Sequence, residues 1–318
     1  MTHDLGASRI PNADHLATGP AVAGFRCGLA ALVGRPNVGK STLLNALVGV
    51  RLSIVSPRPQ TTRHRILGIA TSAAGQILYV DTPGLQQGAR RAMNRSLNRA
   101  VRTAVSDVDV LVQVVEAGRW AAEDDAIYTI IAERDVPRLL VVNKIDLDQD
   151  KSRMLPFVAG IVAQHAYAEV LYVSALKRLA LEPLEHAILQ RLPVRPAAFA
   201  DDEVTDRSER FLAAEMVREQ LMLRLDQELP YATTVQIEQF QDRPDGLAEI
   251  HAVIWVERAG QKAIVIGAGG KQLKAIGTAA RRHIERLLGR KVFLKLWVKA
   301  RAGWVDDEAS LKQFGYTD

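Results

Sequence analysis

The chain has 318 residues, a length that suits two domains, each large enough to bury a hydrophobic core. Apolar residues make up 48% of it, no run of them approaches a membrane span, and the N-terminus lacks the apolar stretch of a signal peptide. A single cysteine, Cys27, excludes an internal disulfide, so we expect a cytoplasmic protein. The net charge of +5 conceals a strong asymmetry in the second half of the chain.

Residues 1–24 are polar, rich in Ala and Gly, and without periodicity, which predicts a disordered N-terminal tail. Residues 25–192 alternate short apolar strands with helices, a pattern typical of an α/β domain with a mixed, mostly parallel sheet. Residues 193–207 combine two prolines with an acidic cluster and predict a linker. Residues 208–318 then form the second domain.

A glycine-rich loop joins an apolar strand at residues 28–33 to a helix at residues 41–48. It fits the pattern G-x-x-x-x-G-K-[ST], whose backbone N–H groups bind a phosphate chain at a helix N-terminus. We expect Lys40 to bridge the terminal phosphates of a nucleotide and Ser41 Oγ to bind Mg²⁺. The nucleotide-binding residues predicted in this stretch are Gly34, Asn37, Val38, Gly39, Lys40, Ser41 and Thr42.

Residues 51–65, which we call the switch loop, contain two prolines and two adjacent threonines. A sensor for a γ-phosphate needs a Thr hydroxyl that binds Mg²⁺ and a loop that is released on hydrolysis. Thr62 is the first choice for this role and Thr61 the second. His64 is expected to be a solvated neighbour of arginines.

A hairpin is predicted at residues 66–70 and 76–80, which would place one antiparallel strand in the sheet. Its second strand ends in Asp81-Thr82-Pro83-Gly84, where Asp81 can hold a magnesium-bound water and the Gly84 N–H can face a γ-phosphate. Lys40, Thr62 and Gly84 are therefore the residues that we expect to act in hydrolysis.

Two later strands end in residues suited to a purine base. The strand at residues 138–142 leads into Asn143-Lys144-Ile145-Asp146, and the strand at residues 169–173 leads into Ser174 and Ala175. The Asp146 carboxylate can accept hydrogen bonds from guanine N1 and N2, a donor pair that adenine lacks. The predicted cofactors are therefore GTP or GDP with Mg²⁺.

The second domain follows the order α-β-β-α-α-β, with Gly267-Ala268-Gly269-Gly270 between its middle helices. This is the order of a type II KH domain, an α+β fold whose G-x-x-G loop clamps the backbone of single-stranded RNA. Residues 201–257 carry a net charge of −9, whereas residues 258–301 carry +11. Because that basic segment surrounds the glycine loop, we expect RNA contacts from Gly267, Ala268, Gly269, Gly270, Lys271 and Lys274.

Together these motifs resemble those of the Era family of bacterial GTPases. The matching stretches are GRPNVGKST at 34–42, PQTTRHR at 59–65, DTPGL at 81–85, NKID at 143–146, TDRS at 205–208, VIG at 265–267 and LWVK at 296–299. The resemblance implies a Ras-like domain joined to a type II KH domain. It also implies binding near the 3′ end of small-subunit ribosomal RNA during assembly of the small ribosomal subunit, with weak peripheral association at the inner face of the cell membrane. We expect a monomer.

Four positions add detail to what this resemblance implies. Ala268 and Gly269 stand where a basic residue is common, so we expect Lys271 and Lys274 to compensate. Leu85 stands where many small GTPases have a water-orienting Gln, which predicts slow intrinsic hydrolysis. Asn37 resembles a position that helps to bind K⁺ in related GTPases.

Two other functions are compatible with parts of the sequence. The second domain could bind a protein partner, in which case the chain is a regulatory GTPase without RNA. Alternatively, the nucleotide domain could be only structural within a nucleic-acid-binding module. The +11 segment argues against the first reading, and the complete set of GTPase motifs argues against the second.

Overall fold

The computed structural model describes residues 24–58, 61–84, 92–147, 151–226 and 228–316. All of the predicted tail except Gly24 lies outside these residues, and so does Leu85. Within the described residues, no helix is long and apolar enough to cross a membrane.

The first part of the chain folds around a six-stranded sheet in the order β2-β3-β1-β4-β5-β6. Only β2 runs antiparallel to its neighbour, as the predicted hairpin requires. The strands are β1 (Arg26–Val33), β2 (Ile66–Ser72), β3 (Gly75–Asp81), β4 (Val110–Glu116), β5 (Arg138–Asn143) and β6 (Glu169–Tyr172). The helices are α1 (Lys40–Val48), α2 (Ala92–Ala104), α3 (Ala122–Ala132), α4 (Met154–Val162) and α5 (Leu181–Leu189).

The central strands are continuous apolar runs because helices cover both faces of this sheet. In β1, Leu32 packs in a core with side chains from α1 and α5, whereas Leu29 and Ala31 pack in a second core that includes Ile127 of α3. The mixed, mostly parallel α/β sheet predicted from the sequence is confirmed.

The segment predicted as a linker, residues 193–207, runs across the first domain from the start of β1, past β3, to the edge strand β2. The Cys27 N–H donates to the Pro193 carbonyl, and the Ile69 N–H donates to the Val204 carbonyl at 2.9 Å. Gln76 Oε1 accepts from the backbone N–H groups of Ala198 and Phe199. These bonds hold the segment against the first domain up to the start of the next helix.

The second part of the chain has a three-stranded sheet in the order β7-β8-β9, with β7 antiparallel and β9 parallel to β8. Its elements are α6 (Glu209–Arg224), β7 (Thr233–Asp242), β8 (Ala248–Val256), α7 (Ala259–Ile266), α8 (Lys271–Leu288) and β9 (Val292–Ala300). Ser208 caps α6 by accepting from the Phe211 N–H. The α-β-β-α-α-β order confirms the predicted KH fold.

A C-terminal extension beyond this fold was not foreseen from the sequence. A short helix, α9 (Glu308–Gln313), and its flanks place Trp304, Leu311 and Tyr316 against Ala92, Met93 and Leu97 of α2. These buried side chains connect the end of the chain to the first domain. Their spacing follows no regular helical or strand period, so the pattern of the sequence does not reveal their common core.

Candidate nucleotide site and nucleic-acid interface

A cavity of about 420 Å³ opens where β1, β3 and β5 end. This is the edge of an open α/β sheet at which ligands bind. Ten of the predicted nucleotide-binding residues line it: Asn37, Gly39, Lys40, Ser41, Thr42, Gly84, Asn143, Lys144, Asp146 and Ala175. The wall also includes switch-loop residues on the opposite side.

The glycine-rich loop at residues 34–41, which we call the phosphate loop, has backbone conformations that need glycine. Gly39 has φ 101°, and a Cβ built there would lie 2.4 Å from Asn143 Nδ2. Only glycine therefore fits between the phosphate loop and Asn143. Asn143 is the first residue of the stretch 143–146, which we call the base-site motif. Lys40 follows at the first position of α1, so that its side chain and the N-terminus of the helix face the same cavity.

Lys40 is buried and bonded to the loop itself. Its Nζ donates to the Gly34 carbonyl at 2.7 Å and to the Arg35 carbonyl at 3.1 Å. Burial lowers the pKa of Lys40 to about 8, although Asp81 and Asp124 oppose this shift. A phosphate chain placed in the cavity would raise this pKa again, because a nearby anion favours the charged ammonium group.

A cluster of hydroxyl groups surrounds a buried carboxylate next to Lys40. Ser41 Oγ lies 2.8 Å from Thr62 Oγ1 and donates to Asp81 Oδ2 at 2.7 Å, and Ser53 Oγ donates to the same oxygen at 2.8 Å. Burial raises the pKa of Asp81, whereas Lys40 and the hydroxyl donors lower it. Asp81 Oδ1 is buried without a hydrogen-bond partner. The cluster thus brings together the three residues that were predicted to hold Mg²⁺.

The two adjacent threonines of the switch loop point in different directions. Thr61 Oγ1 donates to the Arg58 carbonyl at 2.7 Å, and the Thr61 carbonyl accepts from Arg218 in α6. Thr62 Oγ1 instead reaches Ser41. This geometry favours Thr62 over Thr61 as the sensor of a γ-phosphate, in line with the order of preference drawn from the sequence.

The base-site motif is held from behind by side chains of the same region. Asn143 Nδ2 donates to the Val38 carbonyl, and its Oδ1 accepts from the Ala175 N–H. Ser174 Oγ donates to Asp146 Oδ1 at 2.5 Å. Asn143 therefore ties the phosphate loop to the two loops at the base end, and Ser174 fixes the carboxylate that would recognise guanine.

Some predicted residues support the cavity without lining it. Thr82 is buried, and its Oγ1 donates to the Leu32 carbonyl at 2.9 Å. The Gly34 and Val38 carbonyls accept the side-chain bonds of Lys40 and Asn143. Pro83 and Ser174 likewise lie outside the cavity wall.

An ion-pair network behind the loop was missed by sequence reasoning. Glu116 pairs with Arg35 of the phosphate loop at 2.8 Å and with Lys144 of the base-site motif at 2.9 Å. Arg35 also pairs with the buried Asp124 at 3.2 Å. Leu147 and Leu176 were missed as well, although both line the cavity and are about 70% exposed. Their only signal in the sequence is that each directly follows a predicted site residue.

The switch loop is bonded to the second domain. Arg63 donates to the carbonyls of Pro230 and Thr233, and Arg218 donates to the Thr61 carbonyl at 2.7 Å. Glu219 Oε1 accepts from Arg51 at 2.6 Å and also from the Val55 N–H. The loop that was predicted to sense the nucleotide therefore contacts α6 of the KH fold.

The prediction that His64 is solvated is wrong. Its ring stacks on Tyr316 with centroids 4.6 Å apart and meets Phe211 edge-on at 5.1 Å. Burial lowers the pKa of His64 to about 4. The stacking partner, Tyr316, belongs to the C-terminal extension, which the pattern of the sequence does not reveal.

The glycine loop of the second domain adopts the conformations that its residues permit. Gly267 has φ 71°, and a Cβ there would lie 2.6 Å from Gln272 Cβ. Gly269 and Gly270 also have positive φ, and the space around their Cα atoms is open. Lys271 and Lys274 follow on the exposed side of α8.

A cavity of about 510 Å³ lies between α8 and the edge strand β9, beside this loop, and we call it the KH groove. Lys274 and Gly270, two of the residues predicted to contact RNA, line it. Its other residues could not be predicted from the sequence, because no pattern in the sequence shows which side chains of β9 face α8. The missed residues of the groove that can contact RNA are Thr278, Arg281, Phe293 and Lys295.

Both parts of the chain match families of known proteins. Residues 29–144 match the family model described as 50S ribosome-binding GTPase, and residues 228–305 match the KH domain model. GTPase Era of Xanthomonas oryzae pv. oryzae is 58% identical over 292 residues, which cover 92% of this chain and 97% of that protein. The chain belongs to the GTPase Era family. It is therefore a GTPase with a C-terminal KH domain.

Other relatives and two solved structures agree with this assignment. GTPase Era of Stenotrophomonas maltophilia is 57% identical over 91% of this chain and 97% of that protein. A crystal structure of an Aquifex aeolicus Era variant bound to GDP·AlF4⁻ matches with a TM-score of 0.89 and 36% identity, over 92% of this chain and all of that one. A crystal structure of Era in complex with MgGDPNP and nucleotides 1506–1542 of 16S ribosomal RNA matches with the same values.

Proposed function

We propose that this chain hydrolyses GTP and binds small-subunit ribosomal RNA near its 3′ end, and that it assists assembly of the small ribosomal subunit. The observation that carries the RNA part is the match over 92% of the chain to an Era structure that contains nucleotides 1506–1542 of 16S ribosomal RNA. The chain's own residues support it, because a +11 segment surrounds a glycine loop beside an open groove.

The nucleotide would occupy the cavity at the end of the first sheet. Its phosphates would accept from the backbone of the Gly34–Ser41 loop and from Lys40, and its guanine would donate to Asp146. Leu147 and Leu176 would exclude water from the faces of the base. Discrimination against adenine follows because a desolvated Asp146 carboxylate would have no donor pair to accept from.

Mg²⁺ fits the hydroxyl and carboxylate cluster in this cavity. Ser41, Thr62 and Asp81 supply the hard oxygen donors that this ion prefers, and the orphaned Asp81 Oδ1 is free to accept from a water bound to the ion. When bound, the ion would neutralise charge on the phosphates. Lys40, Thr62 and Gly84 would orient and stabilise the γ-phosphate during hydrolysis.

K⁺ is a further cofactor that we propose, with Asn37 as a ligand. Asn37 lines the cavity and donates through Nδ2 to the Pro57 carbonyl of the switch loop at 3.0 Å, which keeps its amide at the phosphate end. We expect hydrolysis to be faster in KCl than in NaCl at equal ionic strength, and Asn37→Ala to remove the difference. Equal rates of the unsubstituted protein in the two salts would contradict the assignment.

The location, oligomeric state and domain boundaries of the chain are also proposals. We place it in the cytoplasm as a monomer, with weak peripheral association at the inner face of the membrane. We propose residues 25–192 as the GTPase domain, residues 193–207 as the linker and residues 208–318 as the KH domain, with residues 1–24 as an N-terminal tail.

The function is tested by measuring two activities on the same full-length protein. Single-turnover GTP hydrolysis reports the first domain, and binding to 16S ribosomal RNA 1506–1542 at two salt concentrations reports the second. We expect both activities, with RNA affinity that falls steeply as salt rises. Hydrolysis without RNA binding would favour the regulatory GTPase with a protein partner, and RNA binding without hydrolysis would favour a structural nucleotide domain.

A further inference from the structure

The outward face of the KH sheet, the side away from the helices, carries aromatic rings and lysines. Along β9, Val292, Leu294, Leu296 and Val298 belong to the core below, whereas the residues between them point to the other side because strand side chains alternate. We call the outward set at one end of the sheet the aromatic face, and its residues are His251, Phe293, Lys295 and Trp297.

The four side chains of the aromatic face contact one another. The His251 ring meets Trp297 edge-on at 5.3 Å and Phe293 at 6.4 Å. Lys295 Nζ lies 4.7 Å from the centroid of the Trp297 ring. Phe293 is 44% exposed, and Trp297 is half-buried. Two large rings are therefore held in place on a surface that water reaches.

The aromatic face is continuous with the KH groove. β9 is the edge strand of the sheet, and Phe293 and Lys295 form part of the groove wall opposite Lys274 and Arg281 of α8. Trp297 follows two residues beyond Lys295 on the same face of β9. A strand of nucleic acid that leaves the groove at this edge would meet Trp297 next.

Most of the charged groups that the structure describes on this surface are paired with each other, and Lys295 remains available to bind an anion. Arg243 and His251 pair with Glu249, and Lys299 pairs with Glu238. Among the described residues, no carboxylate lies within ion-pair distance of Lys295. A phosphate group would complement the ammonium group of Lys295, which would leave the face of the Trp297 ring to meet it.

The C-terminal extension limits the surface at its other end. The Trp255 ring lies on the same face but packs near Phe314 at 6.0 Å, and Tyr316 bonds to Thr234 of β7. Trp255 is thus partly covered, whereas Phe293 and Trp297 are not involved in those contacts.

We propose that single-stranded RNA leaving the KH groove crosses the edge of β9, stacks a base on Trp297 and places a phosphate at Lys295. The inference rests on the proposed RNA binding and extends it. The groove of a KH domain clamps about four nucleotides. Phe293 and Lys295 lie at the border of that groove, and Trp297, beyond its wall, would bind a nucleotide outside the clamp. Bases of any identity stack on an aromatic ring, which makes this second surface tolerant of sequence.

The test compares RNA length with the effect of substitutions in the full chain. The probes are 16S ribosomal RNA 1506–1542 and versions shortened stepwise from either end. Trp297→Leu removes the stacking surface and keeps apolar bulk, and Lys295→Gln removes the charge. Trp120→Leu, a half-buried tryptophan in the first domain, is the matched control, and GTP affinity reports intact folding of that domain.

We expect Trp297→Leu to weaken binding of the longest RNA about tenfold and to leave the shortest bound fragment unaffected. Lys295→Gln should flatten the salt dependence of the longest RNA by about one phosphate contact. If Trp297→Leu lowers the affinity equally for RNA of every length, or lowers it for none, the proposal that the aromatic face binds RNA is wrong. If the unsubstituted protein binds none of these RNAs, the proposed function itself fails.

Discussion

At the scale of single residues, we expect Lys40 to couple nucleotide binding to proton uptake. Burial lowers its pKa to about 8 in the free protein, and bound phosphates would raise it. Above pH 8 the free protein therefore holds fewer protons than the complex, so that GDP binding takes up protons and affinity falls by up to tenfold per pH unit. Calorimetry in buffers of different ionisation enthalpy measures this uptake. A proton count of zero at pH 8.5 would contradict the role of Lys40.

We expect the choice of guanine over other bases to depend on Asp146. In Asp146→Asn, one carboxylate oxygen is replaced by an amide donor, while the remaining oxygen can still accept from Ser174. Guanine would then face a donor, whereas xanthine would offer it a carbonyl. Because a buried mismatch costs about 1–3 kcal/mol, we expect GTP affinity to fall at least about tenfold and XTP affinity to rise. Competition binding with the two nucleotides checks this, and unchanged GTP affinity would remove Asp146 from the site.

At the scale of elements, the glycine loop between α7 and α8 can be tested without disturbing its fold. Space is open around Gly269, and Asp tolerates the left-handed conformation found there. The double substitution Ala268→Asp with Gly269→Asp would place two negative charges where RNA phosphates are expected. Each like-charge pair costs on the order of a few kcal/mol at contact distance before screening, so we expect most RNA binding to be lost.

GTP affinity is the internal control for that double variant, because the nucleotide cavity lies in the other domain. Lys271→Ala and Lys274→Ala should weaken RNA binding less and reduce its salt dependence. RNA affinity that survives the two aspartates would show that this loop is not the clamp.

At the scale of the whole molecule, the C-terminal extension joins elements that are far apart in the chain. Tyr316 stacks on His64 of the switch loop, its hydroxyl lies 2.7 Å from Thr234 of β7, and its carbonyl accepts from Ser96 of α2. A movement of the switch loop would therefore alter contacts with both the KH domain and α2. The ion pair between Arg51 and Glu219 adds a second connection between the switch loop and the KH domain.

This junction makes stability depend on pH. The folded pKa of His64 is about 4, below the ordinary value of about 6.5, so the unfolded chain binds a proton more readily between these values. Stability conferred by the neutral ring is thus present above about pH 6.5 and is lost as pH falls towards 4, by about 1–3 kcal/mol. Urea unfolding at a series of pH values should show a flatter profile for His64→Gln, whereas His186→Gln, at an exposed site, should match the unsubstituted protein.

Much of the fold and the nucleotide site could be predicted because the relevant signals are local. The phosphate loop, Asp81 to Gly84 and the Asn143 to Asp146 stretch each lie within a few residues of a buried strand end, and parallel strands bring such ends to one edge. His64 was misjudged because its partner, Tyr316, is far away in the chain.

The sequence alone determined the chemistry of the two sites, because glycine conformations, a lysine, two carboxylates and a basic segment are properties of short stretches. Only the tertiary structure placed Thr62 rather than Thr61 against Ser41 and Glu116 between Arg35 and Lys144. It also built the far wall of the KH groove from β9 and packed the C-terminal extension against α2. Each of these depends on contacts between residues that are distant along the chain. Hydrophobic periodicity reports which side of an element is buried, but not what buries it.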